Sequence, residues 1–225
     1  MTRPNVLFIL TDDQGPWAMG CAGNDEIRTP GIDRIAATGM RFEYFLCASP
    51  VCSPSRASFL TGRMPSQHGV HDWIREGNTG PEAATYLEGE VAYTDVLAEN
   101  GYAVGLSGKW HLGNSQLVQH GHSHWYVHQS GGGDYNDAPM IRNVELIDEP
   151  GYVTNRITDD ALDFLDRQAT DGSPEASPFY LGVHYTAPHS PWTGHPQQIV
   201  DSYADCAFES CPQEPIHEWA KGHGL

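Results

Sequence analysis

Positive charge is scarce in this sequence, which has 12 Lys and Arg residues against 29 Asp and Glu residues. The formal net charge is therefore -17 at pH 7. Long-range repulsion opposes an encounter with a nucleic-acid backbone or with an anionic membrane surface, so we expect neither as a partner. Any anionic ligand must be held by a local group of positive side chains.

Paired cysteines and long hydrophobic runs are also lacking. The five cysteines, Cys21, Cys47, Cys52, Cys206 and Cys211, lack the CxxC spacing that is typical of structural zinc sites. We expect mostly free thiols, with a Cys206–Cys211 disulfide as the alternative. The apolar run within MTRPNVLFILTDD is too short for a signal-peptide core or a membrane span, which predicts a cytoplasmic protein.

Segments typical of strands and helices alternate along the chain. The predicted strands are NVLFIL, MRFEYFLCA, YAVGLSG and FYLGVHYTA, and the predicted helices are TPGIDRIAATG, SPSRASFLTGR, VAYTDVLAENG and TNRITDDALDFLDRQA. The continuous apolar run NVLFIL favours a buried central strand. We predict one α/β domain over residues 1–225, with helices on both faces of a sheet. We expect no strand between YAVGLSG and TNRITDDALDFLDRQA, and neither a strand nor a terminal helix after APHSPW.

Polar side chains follow three of the predicted strands. Asp12 and Asp13 come after the first, Lys109 and His111 after YAVGLSG, and His189 after the last. Ligands of α/β sheets bind at the carboxyl ends of strands, so we expect these side chains at one edge. Adjacent carboxylates repel each other unless a cation or hydrogen-bond donors hold them, which makes this pair either a site for a hard cation or a solvated turn.

The segment VCSPSRASFLTGR places Cys52 at the start of a predicted helix. We expect Ser53 to cap this helix and Pro54 to lie in its first turn. Backbone N–H groups at a helix N-terminus bind anions, and Arg56, one turn on, would help to hold an oxyanion beside residue 52. A thiol-dependent phosphatase is one interpretation, but those enzymes separate the cysteine and the arginine by a longer loop.

The stretch CSPSRASFLTG matches the sulfatase signature CxPSRxxxLTG at every fixed position, so the chain resembles the sulfatase family. The resemblance implies an alkaline-phosphatase-like sandwich with a mostly parallel central sheet. It also implies hydrolysis of sulfate monoesters of aryl alcohols or carbohydrates. In that family a formylglycine-generating enzyme oxidises the signature cysteine to formylglycine, whose hydrate is the nucleophile, which implies this role for Cys52.

The resemblance implies roles for the other candidates. Asp12 and Asp13, together with residue 52, would bind a divalent cation, usually calcium. Arg56 and Lys109 would balance the charge of the sulfate. His111 would assist the formylglycine hydroxyl, and His189 would contact sulfate and protonate the leaving oxygen.

The family completes its metal site with a later Asp-Asn or Asp-His pair and adds a further lysine, and we identify no counterpart after His189. We therefore expect the N-terminal part of a catalytic domain, as a fragment or a truncated gene product. Three functions remain open: a sulfatase or a related phosphonate or phosphodiester hydrolase, a non-catalytic protein that binds a sulfated ligand, and an enzyme that uses the free thiol.

Two further groups of histidines remain. His120, His122, His124 and His128 lie in QHGHSHWYVH, but their spacing fits no metal-ligand pattern. We interpret this stretch as part of a variable loop region. His68 follows the signature helix and either supports the site or serves in packing.

Overall fold

The computed structural model describes residues 3–170, 177–213, 215–216 and 218–221. Within them a six-stranded sheet has the order β1-β6-β2-β3-β4-β5. The strands are β1 (Val6–Leu10), β2 (Ala103–Gly108), β3 (His124–His128), β4 (Met140–Arg142), β5 (Glu145–Ile147) and β6 (Phe179–His184). The first four strands in that spatial order pair in parallel, whereas β4 and β5 are antiparallel. The predicted α/β class with a mostly parallel sheet is confirmed.

The helices are α1 (Pro30–Thr38), α2 (Cys52–Thr61), α3 (Pro65–His68), α4 (Tyr93–Glu99), α5 (Val153–Thr170), α6 (Gln197–Asp201) and α7 (Glu218–Lys221). All four predicted helices are present. The prediction of no terminal helix is wrong, because α6 and α7 follow APHSPW. No described helix has both the length and the apolar character needed to cross a membrane.

Helices cover both faces of the sheet. On one face Ala57 and Leu60 of α2 pack with Leu106, Trp125 and other buried side chains. On the other face α5 packs its buried side chains, including Ile157 and Phe164, against Leu181 of β6. Alternate residues of the central strands point to opposite faces, so one sheet contributes to two separate apolar cores.

Two predictions from apolar runs are wrong. NVLFIL forms β1, but β1 pairs with β6 alone, and Leu7 and Ile9 are about half exposed. MRFEYFLCA forms no strand. The apolar segment (residues 40–46) instead has five side chains that are mostly exposed: Met40, Phe42, Tyr44, Phe45 and Leu46. An apolar run indicates a preference for burial, but it does not show whether the strand lies between two other strands or at the edge of the sheet.

Three strands lie where no strand is predicted. The strands β3, β4 and β5 all come after YAVGLSG, and β4 and β5 have three residues each, joined through Asn143 and Val144. A strand of three residues is too short to show the alternation on which a sequence-based prediction depends.

Candidate active site

The carboxyl ends of β1, β6 and β2 lie side by side and bring the predicted site residues together. The Lys109 amide donates to the carbonyl of His184 at 2.7 Å, and the Asp12 amide donates to that of Ala187 at 3.0 Å. The backbone of Gly108 lies close to that of β6, because a Cβ at this position would lie 1.9 Å from the His184 carbonyl oxygen. Gly108 also has a φ of 115°, so only glycine fits directly before Lys109.

Helix α2 points its N-terminus at this edge. It begins at Cys52 itself, with Val51 as the N-cap residue and no capping side chain. The prediction that Ser53 caps the helix is therefore wrong. Because the helix begins one residue earlier, Ser53 lies in the first turn, and its hydroxyl accepts a hydrogen bond from the Ile74 amide at 3.2 Å. The positive end of the helix dipole thus lies at Cys52 without a side-chain oxygen to cap it.

We call Asp12, Arg56, Lys109 and His111 the floor of the site, because all four side chains are buried. Arg56 Nη2 donates to Asp12 Oδ2 at 3.0 Å, and Lys109 Nζ forms an ion pair with the same oxygen. Burial alone would raise the pKa of Asp12, but the charges of Arg56 and Lys109 outweigh it, so this pKa is lowered. Asp12 is therefore an anion between two buried cations.

Arg56 lines the same cavity as Cys52 and makes two hydrogen bonds within the floor. Its Nη1 donates to the carbonyl oxygen of Lys109 at 2.6 Å, while Nη2 holds Asp12. Burial lowers its pKa, and the neighbouring acidic groups oppose this shift. The guanidinium therefore ties α2 to the ends of β1 and β2 as well as contributing positive charge.

His111 also lies in the floor, with a φ of 57°. Its Nε2 lies 2.9 Å from the carbonyl oxygen of Ile74, so this nitrogen carries the proton and donates it. Its Nδ1 is buried and has no hydrogen-bond partner in the part of the chain that the structure describes. Burial and the charge of Lys109 lower the pKa of His111 to about 3. The ring is therefore neutral at pH 7, with the Nδ1 lone pair free to accept a proton.

We call Asp13, Cys52 and His189 the rim, because their side chains are more accessible. His189 Nδ1 donates to the Ser190 carbonyl oxygen at 2.6 Å, and its Nε2 lies 3.7 Å from Asp13 Oδ2. A hydrogen bond with the Cys52 side chain is the main cause that raises the pKa of His189. The rim thus pairs the predicted nucleophile position with an imidazole that gains protons more readily than usual.

Part of the floor and part of the rim border a cavity of about 500 Å³. Its lining includes Asp12, Asp13, Cys52 and Arg56 together with the aromatic rings of Trp17 and Phe59. One part of this lining is charged and another part is apolar. Such a cavity suits a small ligand that has an anionic group and a less polar body.

Among the described residues, one group of three could hold a metal ion. The ligand atoms of Asp12, Cys52 and His189 lie within 4.8 Å of one another. The carboxylate oxygens of Asp12 and Asp13 suit calcium, but they provide only part of the six to eight oxygen ligands that this ion takes. The side chains present therefore fit part of a calcium site.

His184 is a member of the site that the sequence analysis missed. Its buried Nδ1 lies 3.3 Å from Arg56 Nη1 and 3.3 Å from the carbonyl oxygen of Lys109. Burial and the charge of Arg56 lower the pKa of His184 well below its usual value. It is the last residue of β6, so the strand-end rule that indicated His189 could also have indicated His184.

The remaining candidates serve other contacts. His68 Nε2 lies 2.9 Å from Ser58 Oγ of α2, which fits the packing interpretation. Of the four histidines in QHGHSHWYVH, His120 pairs with Asp95, His124 pairs with Asp160, His122 lies against two tryptophan rings, and His128 contacts Ser130. None of the five cysteines, all of which the structure describes, forms a disulfide.

The chain is similar in sequence to known proteins. The sequence model of the family named Sulfatase matches residues 4–216. An N-acetylglucosamine-6-O-sulfatase of Bacteroides thetaiotaomicron is 34% identical over 199 residues, which are 88% of this chain and 33% of that protein. Human steryl-sulfatase is 44% identical over 119 residues, which are 51% of this chain and 20% of that protein. The chain thus spans a third or less of the length of these two relatives.

Solved structures agree with this similarity. One protein, solved in complex with its substrate D-glucosamine-2-N,6-O-disulfate, has a TM-score of 0.77 and 31% sequence identity. The match covers 96% of this chain and 40% of that one. A second, in complex with a neocarrahexaose, has a TM-score of 0.79 and 26% identity, covering 92% of this chain and 50% of the other.

Proposed function

The chain belongs to the sulfatase family, and from this membership we propose that it provides the nucleophile and the charged groups for hydrolysis of sulfate monoesters. The observation that carries the proposal is the position of Cys52. The signature cysteine lies at the N-terminus of α2, borders the cavity and contacts His189, above the buried cations of the floor. Residues 1–225 would form the N-terminal part of the catalytic domain.

Formylglycine derived from Cys52 is the proposed nucleophilic group, and its hydrated aldehyde would supply a hydroxyl that attacks sulfur. The surroundings of Cys52 suit a polar group in place of the thiol. Its sulfur lies within 4.8 Å of ligand atoms of Asp12 and His189. An oxygen at the same place would meet groups that accept or donate hydrogen bonds. A formylglycine-generating enzyme is therefore a proposed partner.

The positive charges would stabilise the sulfuryl group as it reacts. Lys109 and Arg56 lie fixed in the floor, and a protonated His189 adds a third positive charge at the rim. Fixed charges in a site with little water stabilise developing negative charge more strongly than the same charges in solution. The Asp12 carboxylate neutralises part of this positive charge. The orientation of that carboxylate therefore affects how strongly Arg56 and Lys109 would bind the sulfuryl group.

The two histidines would divide the proton transfers. His189 has a raised pKa and an accessible ring, which suits donation of a proton to the leaving oxygen. His111 is neutral with its Nδ1 free, which suits acceptance of a proton. Its low pKa makes it a weak base, but the negative charge of a bound sulfuryl group would raise that pKa.

Calcium is the proposed divalent cation, held by carboxylate oxygens of Asp12 and Asp13 and by residue 52. When bound, it would supply Lewis-acid polarisation of a sulfuryl oxygen. Within the chain, a cation near Asp12 would compete with Arg56 and Lys109 for the same carboxylate. Those two side chains would then be freer to donate to the substrate.

Sulfated carbohydrates are the proposed substrate class, with aryl sulfates as the alternative. Among the relatives, one is named for N-acetylglucosamine-6-O-sulfate, and a similar solved structure contains D-glucosamine-2-N,6-O-disulfate. The cavity of about 500 Å³, with Trp17 beside the charged groups, has space for one sugar ring against an aromatic side chain.

Mass spectrometry of the tryptic peptide that ends at Arg56 tests the proposed modification. In protein made by its native host, the peptide should lose the mass difference between a thiol and an aldehyde. An intact thiol in this protein would contradict the formylglycine proposal. Release of sulfate from glucosamine 6-sulfate, absent in Cys52→Ala, tests the activity, and a preference for phosphate esters would instead indicate a phosphoesterase.

A further inference from the structure

Beyond the residues named so far, we propose that the glycine loop (residues 130–133, Ser-Gly-Gly-Gly) is a positioning element for the two site histidines, with Gly131 fixing the ring of His111. The catalytic consequence rests on the proposed function. The structural part concerns the orientation of one imidazole, and it can be tested without turnover.

Gly131 lies directly against the face of the His111 ring. A methyl group on its Cα would lie 2.2 Å from Cε1, 2.3 Å from Nε2 and 2.6 Å from Nδ1 of that ring. All three distances are far below van der Waals contact, and the ring is buried. Any side chain at residue 131 must therefore displace the ring or the loop.

The next glycine approaches the other histidine. A Cβ on Gly132 would lie 3.7 Å from Nδ1 of His189. A Cβ on Gly133 would meet no atom of the described residues within 4 Å. Gly131 thus lies against the proposed base in the floor, a side chain at residue 132 would reach the proposed acid at the rim, and one at residue 133 would reach neither.

The start of the loop is anchored to the sheet. His128, the buried last residue of β3, has its Nδ1 3.0 Å from the carbonyl oxygen of Ser130. The Ser130 hydroxyl donates to the Gly132 carbonyl oxygen at 3.4 Å. A loop fixed in this way can define where the ring of His111 lies.

The orientation of this ring decides which nitrogen is available for chemistry. Contact between Nε2–H and the Ile74 carbonyl, together with Gly131 against the ring face, leaves Nδ1 as the free acceptor. A proton acceptor must lie within hydrogen-bond reach and be aligned with the group that it serves. Gly131 would therefore act through His111, without touching the substrate.

The test compares Gly131→Ala with Gly133→Ala in the full chain by ¹⁵N NMR of the imidazole rings. In the parent protein His111 should show the Nε2–H tautomer with its hydrogen bond, and Gly131→Ala should abolish this signature. Gly133→Ala is the matched control, since Gly133 has a φ of 157° and so adds backbone strain in the same loop without contact to His111. Its His111 signals should stay as in the parent protein.

Kinetics add a second measurement. Gly131→Ala should lower kcat by roughly 10²-fold with KM unchanged, the size expected for a misplaced catalytic group. An unchanged tautomer signature in Gly131→Ala, or an equal loss in both variants, would overturn the proposal. If the parent protein has no activity but the NMR difference is present, the positioning holds and the proposed function fails.

A folding control covers the case in which Gly131→Ala does not fold. Removal of the ring in the double variant Gly131→Ala/His111→Ala leaves space for the added methyl group. Recovery of folding in the double variant would support the direct contact. A double variant that still fails to fold would contradict it.

Discussion

Asp12 and Asp13 are neighbours in sequence, yet their side chains are 5% and 59% exposed. The same contrast separates the floor of the site from its rim. In the floor, Asp12 meets two buried cations, and His111 is neutral. At the rim, Asp13 lies within 3.7 Å of His189 and reaches solvent, and His189 takes up protons more readily than usual.

The difference shows how one small site can hold both fixed and variable charges. Buried charges must be paired, so the fold determines their geometry and they can serve as a preorganised electrostatic environment. Accessible groups at the rim can exchange protons with solvent and meet a substrate. Substitutions in the floor should therefore affect folding, whereas substitutions at the rim should affect chemistry.

Asp12→Asn should destabilise the protein by about 3–5 kcal/mol, because it leaves the buried charges of Arg56 and Lys109 without a counter-ion. Urea unfolding in the presence of a chelator measures the free energy. The neighbouring change Asp13→Asn is the control and should stay within about 0.5 kcal/mol of the parent protein. Equal losses for the two variants would remove the distinction between floor and rim.

His189→Gln should lower kcat for a sulfate ester by roughly 10²-fold, because glutamine cannot donate a proton to the leaving oxygen. Unfolding should change little, since this side chain lies at the rim. Steady-state kinetics of the active protein measures the effect, with the exposed His71→Gln as control. A kcat that is equal in the two variants would exclude His189 as the acid.

The two site histidines should respond to pH in opposite directions. The unfolded chain protonates His111 near pH 6.5, but the folded protein does so only near 3. The stability from neutral His111 is therefore complete well above pH 6.5 and is lost as the pH falls towards 3, with a loss of about 1.4 kcal/mol at pH 5.5. The raised pKa of His189 gives stability that is complete below pH 6.5 and is lost as the pH rises through the folded pKa.

Proton NMR of the imidazole rings between pH 4 and 9 separates the two residues, with assignments from His111→Ala and His189→Gln: His189 should titrate within this range, whereas His111 should stay neutral throughout it. Urea unfolding at pH 5.5 and 7.5 measures the associated free energies. If His111 titrates above pH 6, its ring is open to solvent and does not belong to the floor.

Replacement of the exposed apolar residues upstream of Cys52 should have the smallest effect. Phe45→Ser and Leu46→Ser should each change the free energy of unfolding by less than about 0.5 kcal/mol, because both side chains already lie in solvent. The buried Leu106→Ala is the contrast, with an expected loss of about 2–5 kcal/mol. A similar loss at Phe45 would show that the apolar segment packs in solution.

The sequence was most informative where chemically reactive side chains directly follow a predicted strand. Polar residues after three apolar runs indicated one edge of a sheet, and Asp12, Lys109 and His189 do lie together there. The pairing of strands that are far apart in the sequence was harder to predict. The run NVLFIL suggested a central strand, but it forms β1 at one end of the strand order, and nothing local to residues 40–46 reveals that they form no strand and stay exposed.

The contacts of individual site residues were also hard to predict from the sequence. Ser53 matched a capping pattern, but its hydroxyl contacts the Ile74 amide, and Arg56 braces Asp12 as well as carrying charge. His184 and Gly131 carry no motif of their own. Each acquires its place through contact with residues that are far away in sequence.

The sequence by itself determined the signature around Cys52, the family to which the chain belongs and the strand ends at which the polar residues lie. These features depend on residue type and short-range spacing, which a linear pattern preserves. Only the tertiary structure decided which charges are buried, which nitrogen of His111 is free and which glycine lies against it. Burial, pKa and orientation depend on atoms from distant segments, and folding alone brings those segments together.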